Sequence, residues 1–74
     1  MLYFSFMNGK ELKRWRERLE LKQAGFGVYL AQLMNKERAY VASEISNWEN
    51  GVRPVPGSVS SALYRKRLEE LGEF

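Results

Sequence analysis

The stretch "SEISNWENGVRPVP", residues 43–56, sets the tightest limit on how this chain folds. Its first half reads as the end of a helix, with Gly51 as the stop. Glycine enters the left-handed backbone region that closes a helix without the penalty a Cβ brings. Pro54 and Pro56 then prevent continuation, because neither has an amide proton to give the next turn. A helix therefore runs from about Val41 to Asn50, and another starts near Gly57 or Ser58 and reaches about Leu71. The elements are short, so each must bury an apolar face against its neighbours.

A chain of 74 residues makes one domain, spanning 1–74, near the lower size limit for a stable core. It has no cysteine, hence no disulfide framework and no thiolate metal site. It has no histidine, which removes the commonest metal ligand and the usual general base. No metal and no cofactor are expected. Glu11, Glu17, Glu20 and Glu37 read as helix-surface charges, so an enzyme is not expected either. Oligomerisation is the remaining source of extra stability. The net charge of +3 suits an anionic partner and suits an ordinary solvated surface equally well. No stretch reaches transmembrane length. The opening "MLYFSFM" lacks the basic region and cleavage site of a signal peptide, so a cytoplasmic location is expected, with no membrane partner.

Residues 2–7 alternate, with Leu2, Phe4 and Phe6 against Tyr3, Ser5 and Met7, which is strand periodicity. A lone strand is not stable in so small a domain. This N-terminal apolar segment, 1–7, either pairs with its own copy in a second chain or folds back over its own domain. Asn8 and Glu11 have capping-box spacing and open a first helix. Leu12, Trp15 and Leu19 form its buried stripe, and Arg16 lies just beside that stripe. Around "ELKQAGFG" the first helix ends and a second begins. Phe26, Tyr29, Leu30 and Leu33 share one face of it. Gly27 points to a close helix–helix approach, or else to simple mobility. "NKERAY", residues 35–40, reads as a polar connection.

Glu49 raises a question of its own. With Ile45 as the zero direction, Trp48 and Glu49 both fall within about 60° of it at about 100° per residue. A carboxylate thus shares the buried face, and a buried unpaired charge is costly. It needs a cation, and arginine suits because it binds a carboxylate bidentately. Arg16 borders the apolar stripe of the first helix, so an Arg16–Glu49 ion pair tying the first helix to the third is expected. On the opposite side lie Ala42, Ser43, Ser46, Asn47 and Asn50, which are small or amide-bearing. Asparagine offers a donor and an acceptor together, which matches adenine in the major groove, and serine bonds to several bases. A plain polar surface near a helix end accounts for this face equally well.

"LKQAGFG" (21–27), "SEISNWENG" (43–51) and "RPVP" (53–56) together resemble the Cro/phage-repressor, or XRE-type, helix-turn-helix family. The resemblance covers roughly residues 11–64. It implies an all-α fold, a small helix-turn-helix bundle of about four helices, with the motif at about 22–51 and the third helix in the major groove. It also implies an arginine of the first helix paired with the glutamate of "WENG", in agreement with Arg16 and Glu49. By matching position, Ala42, Ser43 and Asn47 would face base edges, with Ser46 assisting. Gln23 would contact a phosphate at the start of the second helix, with Lys22 beside it, and Asn50 and Arg53 would do so after the third. Phosphate contacts fix register and base contacts specify sequence. The chain departs from the family in a longer stretch between the two motif helices. Either the second helix extends or "MNKERAY" forms a longer loop, where Lys36 and Arg38 reach phosphates or remain solvated. The third helix also lacks a strong cap unless Ser43 serves as one, which would remove Ser43 from readout.

Operators for this fold are usually inverted repeats read by dimers. On the fourth helix, Val59, Ala62 and Leu63 should close the core. Tyr64, Leu68 and Leu71 point elsewhere and, with Leu2 and Phe4, form the expected two-fold interface. The expected function is a sequence-specific transcriptional regulator, a phage-type or mobile-element repressor that binds double-stranded DNA as a homodimer and needs no small-molecule ligand. The competing reading is a protein-binding module such as an antitoxin, with DNA binding as a secondary task.

Overall fold

The computed structural model describes residues 7–71, and these form an all-α bundle of four helices. They are α1 (Gly9–Arg18), α2 (Gln23–Leu33), α3 (Ala42–Glu49) and α4 (Gly57–Leu71). The expected strand at 2–7 lies, apart from Met7, outside the described residues. No helix among those described is long and apolar enough to cross a membrane.

Local chemistry sets the boundaries. The Asn8 side chain accepts from the Glu11 amide at 2.9 Å, and Glu11 Oε1 accepts from the Asn8 amide at 3.0 Å. This reciprocal pair satisfies two donors that the first turn would otherwise leave unbonded. Three helices end in the same way, with paired amide bonds reaching back into the last turn. In α1, Glu20 N–H donates to Glu17 O and Leu21 N–H to Arg16 O. In α2, Asn35 N–H donates to Gln32 O and Lys36 N–H to Ala31 O. In α3, Gly51 N–H donates to Trp48 O and Val52 N–H to Asn47 O. The residue at each reversal has positive φ: 60° at Glu20, 58° at Asn35 and 77° at Gly51. Gly51 adopts this conformation freely, Asn35 tolerates it, and Glu20 is held there at a cost.

The core consists of Met7, Leu12, Phe26, Leu30, Ile45, Trp48, Val55, Val59 and Leu63, all buried. Trp15, Leu19, Tyr29, Leu33, Tyr40 and Tyr64 pack against it half-buried. α3 packs on both α2 and α1, while α4 closes against α2. Val55, between the two prolines, plugs the core from a loop. Burial lifts the Tyr29 phenol above its ordinary range, with the Glu70 charge adding to the effect.

The packing corrects several expectations. Gly27 allows a close approach, but to the Tyr40 backbone in the loop rather than to another helix; a Cβ there would collide with the Tyr40 carbonyl oxygen. Ala62 is only half-buried, and Ser60 takes a buried place instead, with its hydroxyl directed to the Pro56 carbonyl. The buried arc of α4 is therefore rotated toward Tyr64. That ring meets Trp15 edge-on with centroids 6.1 Å apart, which leaves Tyr64 half-buried. Leu68 does remain 45% exposed. Leu2, Phe4 and the side chain of Leu71 lie outside what is described.

Candidate nucleic-acid interface

The site is held together at the C-terminal end of α3. Arg16 Nε donates to Glu49 Oε2 at 2.6 Å, and a second guanidinium nitrogen donates to Oε1 at 3.1 Å. This is the bidentate fork that planar guanidinium and carboxylate favour. The Glu49 side chain is 3% exposed and that of Arg16 14%. Two further bonds complete the cluster: Arg16 Nη1 donates to Leu21 O at 3.0 Å, and Gln23 Nε2 donates to Glu49 Oε1 at 3.1 Å. The Arg16–Glu49 pair thereby joins α1, the connection after it, α2 and α3. The hydrogen bond to Glu49 raises the Arg16 pKa above its ordinary value; burial opposes this and the Glu49 charge reinforces it. Among the described residues, no buried polar side-chain atom lacks a partner.

Gly9 adds a second joint between α1 and α3. It lies against the carbonyl oxygens of Trp48 and Glu49, where a Cβ would clash with both. The N-terminal end of α1 thus meets the C-terminal carbonyls of α3, an arrangement in which the two helix dipoles attract. The sequence signal for this was a glycine immediately after a helix cap, and it went unread.

With Ile45 and Trp48 turned inward, the outer side of α3 carries Ser43 and Glu44 exposed and Ser46 and Asn47 half-buried. Asn50 follows, exposed, and its Nδ2 donates to Ser46 Oγ at 3.1 Å. This fixes Ser46 and Asn50 as a pair. The hydrogen bonds of Asn47 run through its backbone carbonyl, which accepts from the Val52 amide at 2.9 Å and the Arg53 amide at 3.2 Å. Its side-chain amide makes no hydrogen bond among the described residues. Ala42 is half-buried at the first turn.

Ser43 does not cap α3. The residue before the helix is Val41, in extended conformation, and no side chain caps the N-terminal amides. Only the reverse half of a capping box is made: Glu44 Oε1 accepts the Val41 amide at 3.0 Å. Ser43 thus keeps its place on the outer face. Glu44 stands on that face too, and sequence reasoning passed over it; the signal was its position three residues into the helix.

Both alternatives for the stretch between α2 and α3 are realised. α2 runs to Leu33, and residues 34–41 form a loop. The loop is held by Tyr40, whose ring meets Trp48 edge-on at 5.0 Å, and Lys36 Nζ sits 4.8 Å from the Tyr40 ring centre. Lys36, Arg38, Lys22 and Arg53 are all exposed. Gln23, expected at a phosphate, donates its amide nitrogen to Glu49. No cluster of acidic side chains among the described residues is suited to hold a metal ion. Comparison with protein-family models, with curated proteins and with solved structures gave no match.

Proposed function

We propose that this chain is a sequence-specific DNA-binding regulator of the Cro/phage-repressor helix-turn-helix type, which acts as a homodimer on an inverted repeat. The observation that carries the reading is the anchoring of α3. Glu49 is bonded to α1 and α2 and Trp48 is buried against Gly9, while Ser43, Ser46, Asn47 and Asn50 face outward on a short polar surface that also carries the Glu44 carboxylate. Such a surface fits the major groove, where short hydrogen-bonding side chains read base edges. Asn47 is the reader best suited to adenine, because its amide offers a donor and an acceptor together. Exposed Lys22, Lys36, Arg38 and Arg53 supply charge for phosphates on either side.

A mobility-shift titration tests this at one fixed salt concentration. It compares DNA from upstream of the protein's own gene with random DNA, for wild type and Asn47→Ala. Selective binding to an inverted repeat, weakened about tenfold or more by Asn47→Ala in a folded protein, is the expected result. Equal weak binding to both DNAs would remove the reading and favour a protein partner.

A further inference from the structure

Val41 sits at a position where valine is a poor choice. The residue before a helix ordinarily supplies a side-chain oxygen to the first amides, and Ser, Thr, Asp and Asn lead there. Valine offers none, so α3 begins without that support. Nor does the side chain contribute to packing. It is 56% exposed and, among the described residues, takes no part in the core or its margin. An extended backbone, φ −85° and ψ 161°, takes Val41 off the helical wheel that would otherwise turn it inward. The result is a branched apolar group at the leading end of α3. It borders a shallow groove with Lys36, Arg38, Ala39, Tyr40 and Glu44.

We infer that Val41 is a specificity-determining contact for the 5-methyl group of thymine in the major groove. The inference rests on the DNA-binding reading of α3. N-terminal residues of a recognition helix are the ones that reach base edges. Of the groups displayed in the major groove, only the thymine methyl is apolar. An exposed valine there gains nothing from a phosphate or a polar base edge and gains by covering a methyl. Lys36 and Arg38, on the same groove, supply cations for the flanking phosphates and keep the apolar contact in register.

The test selects preferred duplexes from a random library with wild-type protein. Each thymine of the selected half-site is then replaced by deoxyuridine, which removes the methyl and leaves pairing intact. Wild type and Val41→Ser are titrated on the whole series. One thymine per half-site is expected to matter: its replacement weakens wild type roughly fourfold, the effect of removing one buried methyl. Val41→Ser should bind the two duplexes alike, and its melting temperature should rise because serine caps the helix. Indifference of wild type to every replacement overturns the inference. So does sensitivity that persists in Val41→Ser, which would assign the methyl contact to a neighbour such as Ala42. Failure to select any preferred sequence removes the DNA-binding reading as well, and so separates the two failures.

Discussion

The two ends of α3 are built on opposite terms. At its C-terminal end almost every group is engaged. Trp48 is buried, Glu49 is held by Arg16 and Gln23, and Gly9 presses against the last carbonyls. The reversal at Gly51 adds paired amide bonds to Trp48 and Asn47. The N-terminal end has an exposed valine, a single side-chain bond in which Glu44 accepts the Val41 amide, and a charged loop anchored by Tyr40. A helix fixed firmly at one end and left sparsely bonded at the other keeps its direction while its leading turn stays open to solvent. On the proposed reading, the first end supplies stability and the second is where DNA would be met.

The strongest way to break that contrast is to unfasten the fixed end. Arg16→Ala leaves a buried carboxylate with only Gln23 for company and should destabilise the fold by about 3–5 kcal/mol. A domain of this size has roughly 4–11 kcal/mol in all, so much of its stability is lost. Denaturant unfolding monitored through the tryptophans measures it. The double variant Arg16→Met with Glu49→Leu removes both charges and should recover most of the loss, because replacing a whole buried pair by apolar groups is often neutral. The pH dependence has a definite sign. The Arg16 pKa is raised in the folded state, so its contribution is complete below the unfolded value and is lost only as pH climbs through the raised one. Unfolding free energy should therefore not change on account of Arg16 between neutral and mildly alkaline pH.

The loop end should be less costly to disturb. Gly27→Ala pushes a methyl into the Tyr40 carbonyl and displaces the loop, at about 1–3 kcal/mol. Near-ultraviolet circular dichroism of the Tyr40–Trp48 pair should change with it. Glu20→Gly relieves a left-handed residue outside both ends of α3 and should stabilise by up to about 1 kcal/mol in thermal unfolding. The smallest effect on folding belongs to Asn47→Ala, within about 0.5 kcal/mol by the same melt, because the bonds by which it holds the turn after α3 run through its backbone carbonyl and survive the substitution. A large loss would mean that the outer face of α3 serves the fold rather than a partner.

The helices were legible because their signals are local. Asn8 with Glu11, the apolar spacing of Phe26 and Leu30, and Gly51 with Pro54 each act within a turn or two. The break after α1 was harder to place, since Glu20 rather than a glycine takes the left-handed conformation. Of the candidate site, Arg16 and Glu49 were legible because a carboxylate on an apolar face demands a cation, and one arginine bordered the facing stripe. Gln23 stands where the resemblance implies a phosphate contact, and only packing reveals that its amide also bonds the same carboxylate.

By itself, the sequence determined a four-helix chain with its turns in place and one charge pair poised between helices, because periodicity, caps and the expense of a buried charge act along short stretches or at single residues. The tertiary structure alone decided which neighbour each surface meets: Tyr40 over Gly27, Trp48 and Glu49 over Gly9, Tyr64 on Trp15, and Val41 on nothing in the core. Those outcomes depend on how helices rotate and approach until atoms fill space without overlap, which no local signal encodes.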